Sequence, residues 1–173
     1  MKHQEIPSNF SWDNLGDIQM GRMNLGQDMP VLVYRLFQYT LKDVLEREYG
    51  LEAASELYRS AGHLAGQQFA HNALDLSGDF DFFVANLQRQ MQDLKIGIMR
   101  IEKADLAAME FTLTVSEDLD CSGLPITGNT VCDYDEGFIA GILESYSGKK
   151  FKVKEIDCWA TGDRTCRFTA RSE

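Results

Sequence analysis

The four cysteines of this chain restrict its fold more than any other sequence feature. They are Cys121, Cys132, Cys158 and Cys166, and the first 120 of the 173 residues contain none. Thiols that served only as small buried apolar side chains would be scattered along the sequence. A fold that uses the four cysteines together must bring several parts of the last third of the chain to one point.

Two of the cysteines flank a turn, Thr161-Gly162-Asp163, between two runs that are typical of β-strands. A three-residue loop would put Cys158 opposite Cys166 on one face, with Cβ atoms ~4.5–5.5 Å apart. That separation suits a shared metal ion and also permits a disulfide, which reduced cytosolic thiols disfavour. A two-residue loop would turn the thiols to opposite faces, so this interpretation depends on the loop length.

Cys132 directly precedes "DYDEGFIAGILESYSG", a stretch that predicts a helix capped at Asp133. This helix leads into the hairpin, so three cysteines are expected at one corner, where zinc is the default soft tetrahedral ion. Cys121, in the preceding loop, is one candidate for a fourth ligand. Glu155 is the alternative, but strict strand alternation turns it away from Cys158 unless a β-bulge intervenes. Buried thiols without a metal remain a further alternative.

The rest of the sequence predicts an α+β fold. Helical patterns cover residues 28–50, 51–72 and 79–94, and the first has an apolar stripe that includes Val33 and Phe37. Alternating patterns at 96–103 and 109–118, joined by a short connection, predict an antiparallel pair of strands. We therefore expect one domain over residues 1–173. Its helical N-terminal half packs on an antiparallel sheet, and a metal site clips its C-terminal helix to a β-hairpin.

Composition argues against several classes of function. A formal net charge of −10 disfavours direct binding to nucleic acid and to anionic membrane surfaces. No apolar run reaches the ~18 residues of a membrane span, and the first residues, "MKHQEIPSNFSW", lack the apolar core of a signal peptide. The expected location is cytoplasmic. Catalytic triads, phosphate loops and dinucleotide fingerprints are absent from the sequence, which makes an enzyme the less favoured class.

Two adjacent motifs carry a resemblance to a known family. Cys-x4-Gly-Phe-x2-Gly-Ile-Leu begins at Cys132, and Glu-x2-Cys-x3-Gly-Asp-x2-Cys-x-Phe runs from Glu155 to Phe168. Over residues 130–170 the chain resembles the four-vinyl reductase domain family. The resemblance implies an α+β fold and a zinc site at Cys132, Cys158 and Cys166, with Glu155 as a possible fourth ligand. Because Cys121 lies outside the family motif, the fourth ligand stays open, and so does an iron–sulfur cluster.

The same resemblance implies two kinds of function. The family includes sensing domains of transcription activators that respond to aromatic hydrocarbons, and a protein linked to reduction of the bacteriochlorophyll vinyl group. We expect a sensory or regulatory module that binds a hydrophobic or aromatic small molecule. The alternatives are a reductase, or its accessory protein, acting on a tetrapyrrole vinyl group, and an iron–sulfur redox sensor.

The expected ligand site is an apolar cavity between the helices and the sheet. Its candidate residues, drawn from the first two helices, are Tyr34, Phe37, His63, Gly66 and Phe69. A haem bound at His63 is not favoured. Gly62 and Gly66 share a helix face that permits close contact, from which we expect a homodimer. Output is expected to pass to a separate protein, since the chain has no recognisable DNA-binding or kinase segment.

Overall fold

The computed structural model describes residues 8–173. Residues 1–7, where the stretch judged to lack a signal peptide begins, lie outside the described part. The predicted α+β class is confirmed. The elements in chain order are α1 (Ile18–Gly21), α2 (Val31–Tyr49), α3 (Leu51–Ala73), α4 (Phe80–Asp93), β1 (Ile98–Asp105), β2 (Glu110–Ser116), α5 (Asp133–Ser147), β3 (Phe151–Asp157) and β4 (Cys166–Ser172).

The four strands form one antiparallel sheet in the order β1-β2-β4-β3. The predicted β1–β2 pair is present, and its ladder joins Ile98 to Ser116 at one end and Asp105 to Glu110 at the other. Alternate residues of the strands, such as Phe111 and Val153, are buried on one face. Helices α4 and α5 cover this face, so the core lies between the sheet and these two helices.

Helix α5 is the centre of the fold, because it packs against α3 on one side and against the sheet on the other. Its residues from Glu136 to Leu143 are all buried, which explains why its pattern is apolar almost all round. It begins after Cys132, one residue earlier than the cap that the sequence predicted at Asp133.

Glycines let α3 and α5 approach until their backbones touch. A Cβ atom on Gly62 would collide with the carbonyl oxygen of Tyr134, and one on Gly66 with that of Phe138. The contact is reciprocal, since Cβ atoms on Gly137 and Gly141 would collide with carbonyl oxygens of α3. The Gly62–Gly66 face is therefore occupied within the chain, and the expectation that it forms a dimer contact is wrong.

Helix α2 is attached differently from the other long helices. Its predicted apolar stripe faces outward, with Val33 51% and Phe37 67% exposed. The opposite face carries Tyr34, Arg35 and Gln38, which bond to the loop that follows β2. The sequence prediction that the apolar stripe packs inward is wrong, because the inner surface that α2 meets is polar. Within residues 8–173, no helix has the length and apolar character needed to cross a bilayer.

The glycine contact gives a direct test of the packing. Gly62→Ala should lower the free energy of unfolding by about 1–3 kcal/mol, the usual cost of overpacking a tight contact. Urea denaturation followed by circular dichroism measures this loss. Gly21→Ala is the matched control, because no atom lies near its added Cβ, and it should stay within about 0.5 kcal/mol of the wild type. Equal stability of the two variants would contradict the close α3–α5 contact.

Candidate metal centre and adjoining cavity

The four cysteines converge at the end of the sheet where α5 begins. Cys121 lies in the loop after β2, Cys132 caps α5, Cys158 follows β3, and Cys166 is the first residue of β4. None is more than 1% exposed, and all four sulfur atoms lie within 4.8 Å of one another. The sequence expectation that the last third of the chain meets at one point is thus met by the geometry.

The distances between the sulfur atoms suit a single tetrahedral ion. Cys132 Sγ lies 3.8 Å from Cys158 Sγ and 3.9 Å from Cys166 Sγ. A zinc–sulfur distance of ~2.3 Å gives a tetrahedral edge of ~3.8 Å, which matches both separations. The Cys121 and Cys166 sulfurs are closer, at 2.9 Å, and would have to move apart around an ion. Four thiols with this spacing fit the donor set of a soft divalent metal.

Hydrogen bonding within the cluster favours a thiolate. The pKa of Cys158 is lowered by hydrogen bonds to its sulfur, first from Cys121 and then from Cys132 and Cys166. The pKa values of Cys132 and Cys166 are raised, in each case first by hydrogen bonding with Cys121. Because the thiolate is the form that ligates metals, the cluster already holds one sulfur in that form.

The hairpin that carries Cys158 and Cys166 has a longer loop than expected. Strand β3 ends at Asp157 and β4 begins at Cys166, and a short 3-10 helix, Trp159–Thr161, lies between them. The chain turns at Gly162, whose φ of +106° suits glycine. The predicted three-residue loop is therefore wrong, but the two cysteines still meet, because each directly adjoins the end of its strand.

Glu155 reaches the buried face through the β-bulge that the sequence argument required. The register of β3 and β4 shifts between Glu155 and Asp157, and Glu155 is only 2% exposed. Its Oε2 accepts a hydrogen bond from the backbone N–H of Cys132 at 3.1 Å. Burial, followed by the charge of Cys158, raises the pKa of Glu155 to about 8. Glu155 thus supports the backbone of Cys132, while Cys121 completes the group of four sulfurs.

An apolar cavity of about 30 Å³ adjoins this cluster. It lies between α4, α5 and the sheet, as the sequence predicted for a ligand site. Its lining is apolar apart from two carboxyl groups, those of Asp118 and Asp135. Representative apolar lining residues, two from each wall, are Leu87, Met91, Phe111, Leu113, Ile139 and Ile142.

The five pocket residues proposed from the sequence do not line this cavity; they are Tyr34, Phe37, His63, Gly66 and Phe69. Tyr34 donates a hydrogen bond to Asp120 at 2.7 Å, and His63 Nε2 lies 2.7 Å from a carboxylate oxygen of Glu144. Phe37 is exposed, Gly66 contacts the α5 backbone, and the Phe69 ring is 5.3 Å from that of Phe138. The structure therefore does not bring these five side chains to one site.

Buried carboxyl groups beside the cysteines are the functional candidates that the sequence reading missed. Asp118 precedes Cys121 by three residues, and Asp135 follows Cys132 by three. Burial, followed by the charge of Asp120, raises the pKa of Asp118 to about 7, and burial raises the pKa of Asp135 well above its usual value. A carboxylate three residues from a cysteine, repeated on two elements, was the available signal.

The loop that carries Asp118 and Cys121 is bound to α2 by several hydrogen bonds. Asp120 accepts from Tyr34 and from Gln38, both at 2.7 Å. Arg35 donates to the carbonyl oxygen of Leu119 at 2.8 Å. We name residues 118–121 the acidic loop, because one short segment contributes to the cavity, the cysteine cluster and the attachment of α2.

Comparison with known proteins identifies the C-terminal part of the chain. Residues 111–172, from β2 to β4, match the family model of the vinyl-4-reductase domain, and the match includes all four cysteines. This part of the chain belongs to the vinyl-4-reductase domain family. The resemblance to the four-vinyl reductase domain family stated from the cysteine motifs is thereby confirmed.

Two uncharacterized proteins of Methanocaldococcus jannaschii are similar to this vinyl-4-reductase domain protein along most of its length. MJ1642 is 25% identical over 85% of this chain and 80% of its own. MJ0150 is 27% identical over 86% of this chain and 79% of its own. The likeness therefore extends beyond residues 111–172 into the helical half.

Solved structures share the fold at low sequence identity. The phenol-responsive sensory domain of the transcription activator PoxR, crystallised with phenol, has a TM-score of 0.65 and 15% identity, over 83% of this chain and 75% of that one. A vinyl-4-reductase family protein from Methanocaldococcus jannaschii has a TM-score of 0.62 and 15% identity, over 96% and 99% of the two chains. A trafficking protein particle complex subunit 3 from Naegleria fowleri, covalently bound to palmitic acid, has a TM-score of 0.63 and 12% identity, over 83% and 94%.

Proposed function

We propose that this protein is a sensory module that binds a small hydrophobic molecule in the cavity between α4, α5 and the sheet. A zinc ion held by the four cysteines fixes the backbone beside that cavity. The observation that carries the proposal is the acidic loop. Asp118 lines the cavity, Asp120 binds α2, and Cys121 belongs to the cysteine cluster. A change in the cavity therefore has a short physical route to the surface.

The lining supports an apolar ligand. Apolar walls with few polar groups are typical of small-molecule sites, and PoxR and the trafficking subunit were each crystallised with a largely apolar molecule. The cavity volume of about 30 Å³ is far below the ~150 Å³ in which an engineered cavity binds benzene. Binding must therefore push side chains apart, and Met91 and Met99 are adaptable lining residues.

Displacement of the lining can reach α2 through the acidic loop. Arg35 donates to the backbone of both Leu119 and Asp118, and Tyr39 donates to that of Asp120. A shift of Asp118 must therefore stretch these bonds or carry α2 with it. The outer face of α2 is apolar and exposed, notably at Leu32, 75%, and Leu36, 63%. Exposed apolar patches commonly mark interaction surfaces, and we assign this one to a second copy of the chain.

The close spacing of the sulfurs favours one metal ion over an iron–sulfur cluster. A cluster contains several irons bridged by sulfide, so its cysteine ligands must stand farther apart than the edges of one tetrahedron. Four protein ligands leave no open position for substrate, which is typical of structural zinc. When bound, the ion supplies a cross-link between the acidic loop, the start of α5 and the hairpin.

The metal assignment predicts one zinc ion per chain. Cys121→Ser should release it and lower the thermal midpoint, because metal binding and folding are coupled. Glu155→Gln should retain the zinc, because its side chain supports the Cys132 backbone and does not join the sulfur group. Elemental analysis of anaerobically purified protein measures both. Metal-free folded wild-type protein would refute the assignment, and loss of zinc from Glu155→Gln alone would make Glu155 the fourth ligand.

The sensory proposal predicts binding of apolar small molecules. Native mass spectrometry of freshly purified protein, and a thermal-shift screen of aromatics, lipids and tetrapyrroles, should identify ligands. At a concentration of ~100 Kd a ligand stabilises the folded state by about 2.7 kcal/mol. Ile96→Phe should weaken this stabilisation, because Ile96 lines the cavity. Ile156→Phe, on the exposed side of β3, is the control. Failure of every compound, with no co-purified molecule, would refute the sensory function.

The assignment of the α2 face predicts a homodimer. Light scattering at micromolar concentration should give the mass of two chains. The double change Leu36→Glu and Phe37→Glu should reduce it to one, because it puts charge into the apolar contact. Leu106→Glu with Ile126→Glu is the matched control, since both side chains are exposed apolar residues outside α2. A wild-type protein with the mass of one chain would refute the dimer.

A further inference from the structure

We propose that the cavity selects an apolar molecule that carries a primary amine and rejects one that carries a carboxylate. The selecting group is the pair of carboxyl side chains at the polar end of the cavity, Asp118 and Asp135. The inference rests on the proposed ligand-binding function and adds the chemistry of the ligand.

Asp135 has an oxygen available to a ligand. It is the third residue of α5 and lines the cavity. Its Oδ2 is buried and has no hydrogen-bond partner among residues 8–173. A buried polar atom without a partner costs about 1–3 kcal/mol, so a donor placed by a ligand would remove that cost. The position of this atom in the lining makes a bound donor its natural partner.

Asp118 provides a second acceptor beside the first. Its Oδ1 already accepts from the backbone N–H groups of Asp120 and Cys121, at 2.8 and 3.1 Å, which fixes the orientation of the carboxyl group. An oxygen of Asp118 and one of Asp135 lie within 4.8 Å of each other. One ammonium group has three donors and can therefore bond to both carboxyl groups at once.

The charges around this end favour a cation over a neutral donor. Lys, Arg and His are absent from the lining, and the cysteine sulfurs lie behind the two carboxyl groups, with Cys132 Sγ within 4.8 Å of both. Hydrogen bonds between ions of opposite charge are about twice as strong as neutral ones. A ligand carboxylate would instead meet two acceptors and further negative charge, which excludes fatty acids from this cavity.

Benzylamine, toluene and benzoate test the selection, because the three share a ring and differ in the polar group. Isothermal titration of the zinc-loaded protein should show benzylamine binding ~10–100-fold more tightly than toluene, the ratio expected from one or two charge-assisted bonds. Benzoate should not bind. Asp135→Asn should lower benzylamine affinity about 10-fold, the loss of one such bond, and leave toluene affinity unchanged. Asp81→Asn, at an exposed position of α4, makes the same charge change and should alter neither.

Unchanged zinc content and circular dichroism of Asp135→Asn establish that the variant is folded. Toluene or benzoate binding as tightly as benzylamine would overturn the amine selection and leave the sensory function standing. Binding of none of the three, together with a failed ligand screen, would overturn both. A second zinc ion per chain that Asp135→Asn removes would also overturn the selection, because Asp118, Cys132 and Asp135 would then hold a metal.

Discussion

The contact between the backbones of α3 and α5 is the constraint on which the rest of the structure depends. Four glycines, two on each helix, let each helix rest on carbonyl oxygens of the other. The contact fixes α5 along its axis as well as in its distance from α3, because each glycine meets one particular carbonyl. The start of α5 then has a defined position, and with it Cys132, Asp135 and Glu136.

Glu136 extends this control from the helix to the hairpin. It is only 3% exposed, and its Oε1 accepts from the backbone N–H of Glu155 and from Lys154 Nζ, at 2.9 and 2.8 Å. Glu155 in turn accepts from the backbone of Cys132. The two carboxyl groups join the first turn of α5 to the bulge of β3 in both directions. The positions of Cys132 and Cys158 are thus set before any metal is considered.

Local patterns were sufficient to predict the elements and the convergence of the cysteines. Helical and alternating periods gave the α+β class, and the position of Cys132 before an apolar helix indicated the corner at which the sulfurs meet. The inward face of α2 could not be predicted, because an apolar stripe indicates which face is apolar and not what lies opposite. The acidic loop was missed for a related reason. Asp118 and Asp120 resemble ordinary surface acids until the chain folds α2 over them.

The two long N-terminal helices differ in how firmly the fold holds them. Separating α3 from α5 would break a dry contact of backbone on backbone, whereas α2 meets the acidic loop through hydroxyl, guanidinium and amide groups that water can satisfy. Its exposed apolar face loses nothing to solvent when the helix moves. Amide hydrogens of α2 therefore belong to a separate, less protected exchange unit than those of α3 and α5. The domain combines a rigid half with a segment that can open while the core remains folded.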